Sequence, residues 1–148
     1  MDLASKLKEL GYDLPQPAAP VASYVPACQT GNLLYVSGQL CLKDGVILNP
    51  GLLGADVTLE QGIESAKQCA LNIMAILQNH KVKRIVKLTG FIASTPDFTT
   101  QPKVMNGASD LFQAVFGEAG RHARAAVGVA SLPLNASVEI EAIVELES

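Results

Sequence analysis

Hydrophobic positions along this chain recur with two periods, and each change of period marks an element. In residues 138–146, Val138, Ile140, Ala142, Val144 and Leu146 alternate with Glu139, Glu141, Ile143 and Glu145, the period-2 signature of a strand with one buried face. Residues 58–79 carry the other period. Thr58-Leu59-Glu60-Gln61 has the pattern of a capping box, and Leu59, Ile63, Ala66, Ala70, Ile73 and Leu77 follow at helical spacing, predicting a long amphipathic helix. A second helix is predicted from Pro102 at a first helical position, through the stripe Val104, Ala108, Leu111, Phe112 and Val115, to a stop at Gly117. Between the two helices, residues 85–93 read as a central strand buried on both faces for much of its length, broken by Pro96-Asp97. Ahead of them, residues 33–37 and 39–42 read as strands, with a turn at Lys43-Asp44-Gly45 before residues 46–48. Residues 2–10 suit a short amphipathic helix with Asp2 as N-cap and Gly11 as stop, packed as an appendage. The prolines of residues 14–20 then hold the chain extended across the surface.

Strands, then helix, strand, helix, strand and strand predict an α+β domain with both helices on one face of a single mixed sheet. The other face needs a cover that nothing left in the chain supplies, so it is expected to meet other subunits. Residues 1–20 are expected to form an N-terminal helix and Pro-rich extension, and residues 21–148 a single domain. At 148 residues, 49% hydrophobic and 17% charged, the chain has room for one core and none for a second. Tryptophan is absent and aromatics are 5%, which makes that core aliphatic. A mean hydropathy of +0.27 is high for so small a domain and again favours a homo-oligomer. No apolar run reaches the length of a membrane span, and the charged start of the chain is unlike a signal peptide, so a cytoplasmic protein without membrane partners is expected. Cys28, Cys41 and Cys69 are widely spaced, form no C-x-x-C pair and have only His80 and His122 for company. They read as packing residues, Cys69 within a helix, and neither a disulfide framework nor a zinc site is expected. A net charge of −3 and a pI near 5.3 weigh against nucleic acid as a partner. The dense basic stretch at residues 81–84 reads as a solvated turn beside a helix C-terminus.

The candidate chemistry lies in residues 122–147. In Arg124, Ala126, Gly128 and Ala130 every second residue is arginine or very small, so one face of a strand there would leave room for a ligand beside a guanidinium. An arginine offers a fork for a carboxylate, and a nearby glutamate such as Glu139 can hold a water or move a proton. The plainer alternative is a surface Arg facing surface Glu residues on neighbouring strands. His122 sits two residues before Arg124 and reads either as a cleft residue or as a structural hydrogen-bonder. If residues 124–131 and 138–146 paired as a hairpin, Arg124 and Glu139 would lie ~20 Å apart at the strand rise. Either the two strands are not hairpin neighbours, or a site using both residues is shared between chains.

Arg124 with Leu132-Pro133 and Val138-Glu139-Ile140-Glu141-Ala142 resembles the C-terminal signature of the RidA family, also called YjgF/YER057c/UK114, of small enamine and imine deaminases. Gly31-Asn32-Leu33-Leu34-Tyr35-Val36-Ser37-Gly38-Gln39 resembles that family's N-terminal hairpin signature, and the Tyr24–Gly31 and Arg124–Glu139 spacings agree with it. The segments 106–111 and 120–124 resemble a longer branch of the family. The resemblance implies a chorismate-mutase-like fold and a homotrimer whose sheets form a central barrel, with clefts between subunits. It implies hydrolysis of small 2-imino acids, or their enamine tautomers, to 2-keto acids and ammonia without metal or organic cofactor. Arg124 would bind the carboxylate, Glu139 would position water and shuttle protons, and Tyr24 would border the pocket. Gly38 would offer its backbone amide beside Ser37. Ala126 stands where archetypal members have a cysteine, and Ala125 where serine is usual, which excludes thiol chemistry at that position and puts substrate preference in question. Three rival classes go with the same features: a translation-inhibiting endoribonuclease, a non-catalytic carboxylate-binding sensor, and a mutase-type isomerase.

Overall fold

Asp2 begins the first helix by accepting a hydrogen bond from the Ser5 amide at 2.8 Å, and α1 runs Leu3–Glu9. The structure, a computed structural model, describes residues 2–17, 19 and 22–148. Ala18, Pro20 and the expected domain start at residue 21 lie outside the described residues. Leu7 of α1 is fully buried in the same apolar cluster as the two long helices. The helix is thus seated in the core instead of appended to it.

The chain then forms β1 (Ala27–Thr30), β2 (Leu33–Leu40), β3 (Leu42–Lys43) and β4 (Val46–Ile47). Asp44 and Gly45 both take positive φ, 52° and 81°, as a two-residue hairpin turn between β3 and β4 demands. The capping box predicted at Thr58 is present in both directions, and α2 runs Leu59–Leu77. Next come β5 (Val82–Ala93), α3 (Gln101–Phe116), β6 (Ala123–Val129) and β7 (Val138–Leu146). Gly117 ends α3 at φ 62°.

Five strands form one mixed sheet in the order β1-β2-β7-β5-β6, and β3 and β4 form a separate two-stranded ribbon. All neighbours are antiparallel except β5 and β6, which are parallel. The last two strands are therefore not a hairpin: β7 inserts between β2 and β5, while β6 is left at the edge. The basic stretch expected to be a turn instead opens β5, where the register shifts between Val82 and Arg84 and again between Ile85 and Lys87. Arg84 Nε donates to Glu145 Oε1 at 2.7 Å and Lys83 Nζ lies 3.8 Å from Oε2. An opposite charge on the next strand stabilises what composition alone reads as solvated loop.

Both long helices pack on one face of the sheet. Ile85, Leu88, Ile92, Ile140 and Val144 meet Ala66, Ile73, Met105 and Phe112 there with no exposed surface. The helices approach each other at Gly107, where a Cβ would come within 2.4 Å of the Ile63 carbonyl oxygen. On the opposite face the registers align Tyr35, Ile143 and Lys87 in one row and Glu139, Phe91 and Val127 close to another. Tyr35 and Val127 are almost half exposed, at 46% and 45%. No helix of the described residues is long and apolar enough to cross a membrane.

Gly107→Ala should destabilise the fold. The gain of about 1 kcal/mol in helix propensity is opposed by roughly 1–3 kcal/mol of overpacking against a backbone atom that cannot rotate away. Thermal melts should show a lower midpoint, and an unchanged or raised one would contradict this account of the helix contact.

Candidate active site

Arg124 follows directly from the parallel edge strand. Its β5 partner is Leu88, a core residue, so its side chain leaves the sheet on the helix face. There the guanidinium meets α3: Nη1 donates to Asn106 Oδ1 at 2.8 Å and to Ser109 Oγ at 3.0 Å, and Nη2 donates to the Pro102 carbonyl at 3.3 Å. All three acceptors are neutral, and among the described residues no carboxylate lies within 4.0 Å of this arginine. The side chain is fixed, but its charge is left uncompensated. The small residues that follow it have a different use from the one expected. Ala126 packs against the core, and a Cβ on Gly128 would meet Gln101 Nε2 and Ser94 Oγ at 2.8 Å. The room beside Arg124 on this face is taken by the N-terminal half of α3.

Glu139 belongs to the opposite face. Along β7 the buried Val138 and Ile140 flank it, which turns its side chain away from the helices. It is half-buried, and burial first, then the neighbouring Glu141 carboxylate, pushes its carboxyl above the ordinary value. The burial comes from β2. Between Val36 and Gln39 that strand takes three steps while β7 takes two, from Ala142 to Ile140, so Ser37 and Gly38 together oppose Glu141 in a bulge. A Cβ on Gly38 would lie 2.9 Å from Glu139 Oε2. Glycine is what lets the carboxylate come this close to the main chain.

The bulge also ties down the segment that carries Tyr24. Ser37 donates its amide to Pro26 O at 2.9 Å and its hydroxyl to Val25 O at 2.7 Å, so Ser37 holds the strap. Tyr24, 51% exposed, borders a cleft of about 450 Å³ with Gly38, Leu40, Leu42, Pro15 and Leu134 among its walls. The structure brings Tyr24, Ser37, Gly38 and Glu139 to one neighbourhood. Arg124 and Ala126 lie elsewhere. Two strand spacings and three residues of β5, from Leu88 to Phe91, separate the Arg124 and Glu139 positions, about 14 Å of sheet, and the side chains leave opposite faces.

His122 is a hydrogen-bonder that leads to Arg124. Its Nε2 is 2.8 Å from Ser109 Oγ and its Nδ1 2.7 Å from Gly120 O. Asn106 and Ser109 were absent from the sequence-based candidates. The available signal was Ser109 itself, a polar residue four after Met105 and three before Phe112, on a helix face that is otherwise apolar. Cys41 and Cys69 are buried and bond to the carbonyls of Leu48 and Val138. Cys28 is exposed, so it does not have the packing role expected of it. Among the described residues, no group of three or more His, Cys, Asp or Glu could hold a metal ion.

The family model for Endoribonuclease L-PSP matches residues 15–146, and the chain belongs to that family, also known as RidA or YjgF/YER057c/UK114. Among its relatives, protein TCP17 of Trypanosoma cruzi is 47% identical over 152 residues, 99% of this chain and 95% of that one. A 2-iminobutanoate/2-iminopropanoate deaminase of Dermatophagoides farinae is 36% identical over 135 residues, 90% and 91% of the two chains. Among solved structures, a protein of unknown function from Agrobacterium tumefaciens superimposes with a TM-score of 0.91 at 51% identity, covering 98% of this chain and 92% of that one.

Replacing Glu139 with Gln should raise stability at neutral pH. A carboxyl whose folded pKa is raised opposes folding once ionised; that cost is complete above the raised pKa and absent below the ordinary one. The melting temperature of Glu139→Gln should therefore exceed wild type by a few degrees at neutral pH and match it in acid. An equal gain at both pH values would point to packing instead of charge.

Proposed function

We propose that this protein hydrolyses small 2-imino acids, or their enamine tautomers, to 2-keto acids and ammonia, in clefts between the subunits of a homotrimer. The observation that carries this reading is the guanidinium of Arg124, held on three neutral acceptors with its charge free for an incoming carboxylate. Such a group binds an anion without first having to break an ion pair. Glu139 supplies the acid-base group. Its raised pKa brings it nearer the operating pH, where a carboxyl is best able both to take and to return a proton. Water adds to the carbon of the protonated C=N as Glu139 accepts its proton, and the C=N electron pair returns to nitrogen to give a neutral carbinolamine. Glu139 hands that proton to the carbinolamine nitrogen, then takes the hydroxyl proton as the C–N bond breaks, so that C=O forms and ammonia leaves. Tyr24 walls the cleft, and the amide of Gly38 would meet the substrate at the bulge.

Separation of Arg124 and Glu139 within one chain favours a site completed by a neighbour. An edge strand, β6, carries the clamp, and the sheet face bearing Tyr35, Phe91, Ile143 and Val127 lacks a cover from its own helices. Trimerisation with the sheets turned inward would cover that face and set the β6 edge of one subunit beside the cleft of the next. A carboxylate-binding sensor is the second reading, because the arginine clamp is assembled without any contribution from Glu139.

Ammonia release from 2-iminopropanoate and 2-iminobutanoate, generated in situ by an amino-acid oxidase, tests the proposal. Wild type should accelerate release over the spontaneous rate, and Arg124→Ala should lower kcat/KM about 100-fold, roughly 3 kcal/mol of lost charge-assisted bonding. Arg124→Lys should recover little, since an ammonium lacks the planar fork. In wild type, kcat/KM should fall as acid protonates Glu139, with an apparent pKa above the ordinary glutamate value. Release no faster than the spontaneous rate would remove the enzyme reading, and carboxylate binding would then decide for the sensor.

A further inference from the structure

Ser109 is a buried hydroxyl, 4% exposed, on the face of α3 that turns to the sheet. A serine in a helix often bonds back to its own main chain, whereas Ser109 Oγ lies between Arg124 Nη1 at 3.0 Å and His122 Nε2 at 2.8 Å. The direction of each bond follows from the last one in the row. His122 Nδ1 is 2.7 Å from the Gly120 carbonyl, which can only accept, so Nδ1 carries the proton. In the neutral ring Nε2 is then a lone pair, and the Ser109 hydroxyl must point its proton at His122. Its oxygen lone pairs are left for Arg124. Donation thus runs from Arg124 to Ser109 to His122 to Gly120, with the Phe112 ring edge-on to the imidazole at 6.3 Å.

The row decides which side of the guanidinium remains open. Arginine has five N–H donors, and α3 engages three of them. Both Nη1 protons are engaged, one by Asn106 and one by Ser109, so the end-on edge, which needs an Nη1 proton, is closed. Nη2 makes one bond to α3 and Nε makes none, so the edge these two nitrogens share is the less engaged one and is the side open to a parallel pair.

We propose that Ser109 and His122 are positioning residues for Arg124, and that they present its Nε/Nη2 edge as the fork that receives the substrate carboxylate. This rests on the reading of Arg124 as a carboxylate clamp. The segments 106–111 and 120–124, one on α3 and the other leading into β6, meet at this point to orient one side chain. Loss of the row frees Nη1, lets the guanidinium turn, and weakens a contact made alike in ground state and transition state. The effect falls on KM more than on kcat.

The test measures steady-state kinetics with 2-iminobutanoate and calorimetric binding of 2-oxobutanoate on the full chain. Ser109→Ala and His122→Ala should each raise KM and the Kd of 2-oxobutanoate about tenfold, the weight of one hydrogen bond to a charged group. Ser109→Thr and His122→Gln, which keep a hydroxyl and an acceptor in place, should restore most of the loss. The double alanine variant should be little worse than Ser109→Ala, because the two act through one chain of bonds. Kd and KM unchanged in both alanine variants, with Arg124→Ala still defective, would overturn the positioning role and leave the clamp intact. Additive losses in the double variant, or no rescue by Thr and Gln, would overturn it too. If the alanine variants fail to fold, the Thr and Gln variants carry the decision: binding lost in folded Ser109→Thr and His122→Gln overturns the proposal, and binding kept supports it. Failure of wild type to bind 2-oxobutanoate would remove the clamp reading and this inference with it.

Discussion

The parallel pairing of β5 with β6 is the constraint from which most of the architecture follows. Parallel neighbours cannot be joined by a tight turn, so the chain must cross the sheet between them, and α3 is that crossover. Its path commits one sheet face to helices, brings Gly107 against α2, and requires short side chains along β6 at Ala126 and Gly128. The same path puts Asn106 and Ser109 over the start of β6, where Arg124 reaches them. With β6 placed at the edge, the last strand enters between β2 and β5. That insertion buries Val138, Ile140 and Val144 and also carries Glu139 away from Arg124.

Charge is distributed unevenly in this molecule. Glu145 is paired with Lys83 and Arg84, Lys8 with Asp13, and Arg121 with Glu118. Arg124 and Glu139 have no such partners among the described residues. The arginine is fixed by neutral oxygens, and the glutamate is packed beside a glycine and repelled by a second carboxylate. Groups held in place yet not neutralised are unfavourable for folding, and they cluster where a ligand is to complete them. In each case the support comes from an irregularity of the fold: a buried serine within a helix for one, an extra residue in a strand for the other.

Much of this fold is legible in the sequence wherever a strong period coincides with a cap or a breaker. The capping box at Thr58, the stop at Gly117 and the alternation of β7 all mark their elements within a residue or two. β1 escaped because Ala27-Cys28-Gln29-Thr30 is a mostly exposed edge strand with no buried alternation to read. The start of β5 escaped because lysine and arginine look like loop until Glu145 is placed beside them. The sequence offers Arg124 and Glu139 as candidates but does not show how the fold groups them. Sequence spacing places Arg124 and Glu139 on their strands, while strand order, set by long-range pairing, decides that their faces are opposed. The row of small residues after Arg124 has the same composition whether it faces a ligand or a helix, and only the position of α3 distinguishes the two.

The bulge in β2 has a consequence for how this region can vary. Side chains of a strand alternate faces with a period of two, so the extra residue at Ser37 and Gly38 sets the phase of everything that follows in β2. It leaves Gln39 opposite Ile140 and Leu40 opposite Glu139, and carries the chain on to the buried Cys41. A substitution within the bulge acts locally, at the hold of Ser37 on Val25 or at the approach of Gly38 to Glu139. Deletion of one residue there would exchange the two faces for the rest of the strand, expelling Cys41 from the core while pulling the strap at Val25 out of reach of its anchor. Length is thus the stricter constraint on this segment, and insertions and deletions among descendants of this chain should pass it by in favour of the turns at either end.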